Sequence, residues 1–142
     1  MIILIAQSIS VLFTASLIHE AGHALACRLY GIRIIEIMIW SGSPRHRLQM
    51  GRLAIGWFPY GGYVATPFID DDVEDFIITL CGPVANIIVG MGIFFSSGMI
   101  QVFCSYNLLM AVNALLPIGG KKDGYRLLLI IKKWYSIKKQ YK

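Results

Sequence analysis

The chain has 142 residues, 56% of them hydrophobic and 15% charged, and a formal net charge of +5. Soluble domains run nearer one quarter charged, and intrinsic disorder needs low hydrophobicity, so both classes are excluded. Three cysteines are sparse and odd in number for a disulfide scaffold, which leaves a one-domain integral membrane protein.

From Met1 to Ile18 no side chain ionises, and a helical pattern continues to about Tyr30, where Gly31 ends it. This stretch lacks the basic start of a signal peptide and reads as a first transmembrane helix over about 1–30. Ile32 to Trp40 is β-branched and partly alternating, which predicts a strand, and Ser41-Gly42-Ser43-Pro44 supplies a turn. Leu48 to Phe58 predicts one or two more strands broken at Gly51 and Gly56. Pro59 with Gly61-Gly62 is expected to bend the chain again. The segment of about 32–66 should form a small sheet at the membrane face.

Asp70-Asp71-Asp72-Val73-Glu74-Asp75 reads as a solvated acidic cluster that opens the second helix, where negative charge suits the helix dipole. From Phe76 to Gly120 there are 45 residues without Asp, Glu, Lys, Arg or His. As helix that run would stretch about 68 Å, twice a hydrocarbon core of about 30 Å. It reads as two passes, about 75–96 and 99–119, turning near Ser96-Ser97-Gly98. Pro117, Gly119, Gly120 and Gly124 would break the third helix, and a basic amphipathic helix follows over about 125–142. The predicted fold is an all-α membrane core of three transmembrane helices, the third broken. A small membrane-associated β-hairpin or sheet lies between helices 1 and 2, and the whole of 1–142 forms one domain.

All 13 Lys and Arg lie between the first two helices or after the third. The positive-inside bias then places the 31–74 segment and the C-terminus in the cytoplasm. Contact with the anionic lipid surface of the bilayer accounts for the charge, so no nucleic-acid partner is implied.

Chemistry concentrates in His19-Glu20-Ala21-Gly22-His23. Residues i and i+4 share a helix face, so both imidazoles can point at one metal ion, with Glu20 in reach of its water. Zinc is the expected ion, because two His nitrogens and an oxygen donor suit its tetrahedral preference and leave one position open. Ionisable groups are costly inside a bilayer, so a cluster of three within five residues points to function. Gly22 offers a small face for close helix packing. For the third donor, His46 reads as a surface residue and Asp123 is the better candidate. It is the only carboxylate after residue 75, in a broken stretch of a kind tolerated at membrane depth only where protein or a wet cavity satisfies the backbone. Lys121 and Lys122 are expected to snorkel toward the interface.

The order of four motifs is more specific than any one of them. His19-Glu20-Ala21-Gly22-His23, Phe58-Pro59-Tyr60-Gly61-Gly62-Tyr63-Val64, Gly82-Pro83-Val84-Ala85-Asn86, and Asn113 to Pro117 leading to Asp123-Gly124 together resemble the site-2 proteases. These are the intramembrane zinc metalloproteases of peptidase family M50. The resemblance covers roughly residues 15 to 128 and departs from the family pattern in the Asn113–Pro117–Asp123 spacing and in Lys121-Lys122 before the aspartate. It implies zinc on His19, His23 and Asp123, Glu20 as general base, and Asn86 and Asn113 at the active site as substrate or oxyanion donors. The implied substrate is a transmembrane or membrane-inserted peptide, held by β-addition to an edge strand near Leu53 to Phe58. It also implies a minimal form without a PDZ or CBS domain, in a prokaryotic cell membrane, with the site toward the cytoplasm. The alternatives are an inactive metal-binding or substrate-holding relative and, less well matched, a small ion transporter. Glu20 favours the enzyme, since a structural zinc site needs no base.

Overall fold

The computed structural model describes residues 2–42, 47–118 and 122–140, apart from the side chains of Tyr60 and Gln140. His46, the Ser43-Pro44 turn and Gly119-Gly120-Lys121 lie outside the described residues.

Helix α1 runs Ile2–Leu29, and its buried residues are Ala15, His19, Glu20, Ala26 and Cys27. Its large apolar side chains face outward instead, with Ile2, Ile3 and Leu4 exposed by 81%, 72% and 65%. That inversion suits lipid, where apolar side chains meet acyl chains and helices touch through small residues. A Cβ built on Gly22 would clash with the Cys81 carbonyl, so α1 meets α2 nearly backbone to backbone.

Helix α2 runs Asp72–Gly90, capped by the Asp71 carboxylate, which accepts from the amides of Val73 and Glu74. This cap starts the helix three residues before the expected position. A 3₁₀ turn over Met91–Phe95 extends it, Ser96 and Ser97 are extended, and α3 spans Gly98–Leu115. The hairpin therefore turns at the predicted residues. Helix α3 stops about four residues early because Leu116, which precedes Pro117, takes an extended conformation. Helix α4 covers Asp123–Gln140. Among the described residues three spans, Ile2–Leu29, Asp72–Phe95 and Gly98–Leu115, are long and apolar enough to cross a membrane.

The sheet holds β1 (Glu36–Ser41), β2 (Arg47–Met50), β3 (Leu53–Gly56) and β4 (Phe58–Ala65), in the order β2-β3-β1-β4. Strand β1 pairs parallel to β3 and antiparallel to β4. Three expectations are corrected here. The first strand starts at Glu36, four residues late. Pro59, Gly61 and Gly62 lie inside β4 and do not form a turn, because an edge strand tolerates a missing N–H and Gly61 adopts φ 68°. Strand β3 is paired on both sides, so it cannot accept an added strand, whereas β4 is an edge. The sheet also packs along α1, well back from the end of that helix. A shift of register between Ile39 and Ser41 surrounds Trp40, whose ring packs edge-on against Phe13 of α1 at 5.3 Å. Phe13 stands about 24 Å along the helix from Leu29.

Helix α4 lies against the start of α2. Arg126 pairs with Asp75 at 2.7 Å, Lys133 with Asp72 at 2.7 Å, and the Phe76 and Trp134 rings meet at 5.3 Å. The acidic cluster is therefore only partly solvated; two of its members receive the cations of α4.

Candidate metal centre

Helix α1 places His19 and His23 one turn apart on its buried face, and the first residue of α4 brings Asp123 to them. His19 Nε2 lies 3.0 Å from Asp123 Oδ2 and 3.3 Å from His23 Nε2. His23 Nε2 lies 3.4 Å from the same oxygen. Tetrahedral donors at 2.0–2.1 Å from an ion stand about 3.3 Å from one another, so this triangle has the right size.

The hydrogen-bond network assigns both imidazole tautomers. His23 Nδ1 must donate to the Ile78 carbonyl at 2.7 Å. Asn107 Nδ2 donates to the Phe103 carbonyl, which turns its Oδ1 toward Asn86 Nδ2 at 3.1 Å. Asn86 Nδ2 also donates to the Ala15 carbonyl, so Asn86 Oδ1 accepts from His19 Nδ1 at 3.2 Å. In the neutral rings each Nε2 then carries a lone pair, and both lone pairs converge on a carboxylate oxygen. Three electron-rich atoms facing one another repel unless a cation lies between them. Such orientation of a ligating imidazole from behind is typical of metal sites.

Glu20 is buried, and its Oε2 has no hydrogen-bond partner among the described residues. Gly62 of β4 sits directly over it; a Cβ there would overlap Glu20 Oε1. An orphaned carboxylate oxygen beside a converged His-His-Asp group is chemically consistent with a metal and its water. Gly82 serves the same geometry, since any side chain at that position would overlap the His23 ring. The donor set suits zinc.

Glu20, His19, His23 and Asp123 share an open cleft of about 890 Å³. Asn113 and Lys122 line it too. Lys122 turns its ammonium to the end of α3. It donates to Asn113 Oδ1 at 2.7 Å and to the Asn113 carbonyl at 3.3 Å, because the end of α3 leaves those acceptors free. Asn86, expected beside the substrate, is fully buried behind His19 with both ends of its amide engaged. Its side chain does not line the cleft and bonds the imidazole from behind. The sequence reading missed Asn107 and the Ile78 carbonyl. Asn107 was findable, being a second asparagine in an uncharged transmembrane run; no sequence signal marks a particular backbone carbonyl.

Residues 7–140 match the sequence profile of peptidase family M50. The chain belongs to that family. A candidate zinc metalloprotease of Chlamydia trachomatis is 28% identical over 121 residues, 64% of this chain and 20% of that protein. The chloroplastic membrane metalloprotease ARASP of Arabidopsis thaliana is 34% identical over 70 residues, 48% of this chain and 16% of that one. The fold is similar to that of the site-2 protease from Methanocaldococcus jannaschii, with a TM-score of 0.63 and 23% identity. That match covers 88% of this chain and 54% of the archaeal one. The chain thus spans about a fifth of the length of the curated relatives it matches.

Proposed function

We propose that this chain is a zinc-dependent protease that cleaves peptides within or at the surface of a bilayer. The observation that carries the proposal is the convergence of the two Nε2 atoms, each opposite an Nδ1 held by its own bond, on Asp123 Oδ2, beside Glu20 Oε2, which has no partner among the described residues. His19, His23 and Asp123 would hold one zinc ion, which supplies a Lewis acid and acidifies water toward a pKa of about 7.

The remaining chemistry belongs to the chain itself. Glu20 Oε2 takes the proton of the attacking water and later gives it to the leaving amine. Burial among helices excludes competing water from that carboxylate. The free edge of β4, with Gly62 lying over Glu20, offers backbone N–H and C=O groups to an extended peptide. An unwound substrate is required, because the amides of a continuous helix are already bonded and shielded. Asn113 and Lys122 stand across the cleft and place amide and ammonium donors near the reacting carbonyl. The cluster of basic residues beyond the ends of α1 and α3 supports a cytoplasmic location for the cleft mouth.

The test is Glu20→Gln in detergent or nanodiscs, with zinc content and cleavage of model transmembrane peptides measured together. The variant should keep zinc and lose cleavage. Cleavage at the unmodified rate would refute the assignment of the base.

A further inference from the structure

The three donors do not have equal support. His19 and His23 sit mid-helix in the transmembrane bundle, each held from behind by a bond to α2. Asp123 is the first residue of α4, which follows α3 after a stretch containing Pro117, Gly119 and Gly120. Where its carboxylate lies therefore depends on how α4 docks. Leu127 and Ile130 are buried and the Trp134 ring meets Phe76, so apolar packing attaches α4. One forked contact lies near its start: Arg126 Nη2 donates to Asp75 Oδ1 at 2.7 Å and Arg126 Nε to Asp75 Oδ2 at 3.1 Å.

The position of that fork in each helix matters. Arg126 is one turn after Asp123. Asp75 is one turn before Ile78, whose carbonyl orients the His23 ring. The pair thus joins the turn that carries one donor to the turn that orients another. Guanidinium and carboxylate meeting through two parallel bonds define direction as well as distance, which a single ammonium contact does not. The Asp75 side chain is only 15% exposed and accepts from the Thr79 hydroxyl as well, so its own rotamer is held. Lys133 is as exposed as Arg126, 56% against 55%, but it meets Asp72 through a lone ammonium and lies three turns from Asp123. Gly124 completes the arrangement: a Cβ there would overlap the Leu115 carbonyl, so the start of α4 is pressed against the end of α3.

We infer that the Asp75–Arg126 pair is the positioning device of the metal centre, holding Asp123 against the two histidines. Broken, it leaves α4 attached but lets the third donor drift. The inference rests on the reading of His19, His23 and Asp123 as the zinc donors.

Zinc affinity by chelator competition, the visible spectrum of the cobalt-substituted protein, and the unfolding midpoint without metal test it together. Asp75→Asn and Arg126→Met should each weaken zinc by about 10–100-fold, the usual effect of losing a partner behind a ligand. Each should also lower the intense absorption of tetrahedral cobalt, while the metal-free midpoint stays near that of the unmodified chain. The double variant should be no weaker than the worse single one, since both remove the same contact. Lys133→Met should change zinc affinity less than about twofold, because its single ammonium contact lies about three turns from Asp123. If Arg126→Met does not accumulate as folded protein, Arg126→Lys carries the test, because it keeps the charge and loses the fork; it should weaken zinc by about three- to tenfold. Unchanged zinc affinity and cobalt spectrum in the fork variants, or additive losses in the double variant, would overturn the inference. Asp123→Ala in parallel separates the two readings. If it loses zinc while the fork variants do not, only the positioning role fails; if it too binds zinc as before, the donor assignment itself fails.

Discussion

Replacing Asn86 by alanine should weaken metal binding before it abolishes the fold. Asn86 is 0% exposed and links His19 to a chain of amides that ends on the Phe103 carbonyl. The alanine variant strands the His19 Nδ1–H and the Asn107 Oδ1, each a buried polar group costing about 1–3 kcal/mol when unpaired. The His19 ring then gains rotation, and its free tautomer no longer presents Nε2 as the acceptor. Loss of such a partner weakens metal binding by about 10–100-fold, or about 1.4–2.8 kcal/mol. Two controls separate geometry from bulk. Asn86→Asp keeps an acceptor on His19 but sets an oxygen against Asn107 Oδ1, so it should retain zinc within about tenfold while lowering stability. Asn107→Ala leaves Asn86 in place but frees its amide to flip, and should fall between the two. The assay is competition with a chromophoric chelator, paired with a thermal unfolding scan of each metal-free variant. Zinc affinity of Asn86→Ala within about twofold of the unmodified chain would refute the tautomer argument.

Gly82→Ala should destroy zinc binding, because its Cβ would overlap the His23 ring; Gly92→Ala, whose Cβ would meet only the Cys104 sulfur at 3.2 Å, should keep zinc and shift stability by less than about 1 kcal/mol. Gly62→Ala should retain zinc and lower cleavage at least tenfold, since it displaces Glu20 and leaves the donors alone; zinc content and peptide cleavage on one preparation check this. Glu36 accepts from the Tyr63 hydroxyl and from Arg47, both at 2.7 Å, and those bonds, Tyr63 first, lower its pKa below the ordinary 4.5. Its contribution to stability is therefore full above pH 4.5 and lost as pH falls through the depressed pKa, so unfolding midpoints of Glu36→Gln and the unmodified chain should differ at pH 6 and converge in acid.

Much of this protein is legible in one dimension. Long apolar runs have few other uses than crossing a bilayer, so three spans at about 1–30, 75–96 and 99–119 stand out without any knowledge of packing, and the structure shifts their ends by a few residues. The helical period is equally local, which is why His19, Glu20 and His23 could be placed on one turn from spacing alone. Even Asp123 could be singled out, because a lone carboxylate in a broken apolar stretch has few other uses. What spacing could not supply was partnership across the chain. Asn86 and Asn113 are the same residue type in similar apolar helices. Only packing puts one behind His19 and the other at the cleft rim under Lys122. The acidic run from Asp70 to Asp75 reads identically whether solvated or paired, since its cations come 51 and 61 residues later. Sheet order decided the rest. Whether Pro59 and Gly61 make a turn or sit in a strand depends on β4 being an edge, and a strand's neighbours are set by long-range pairing that side-chain alternation does not encode.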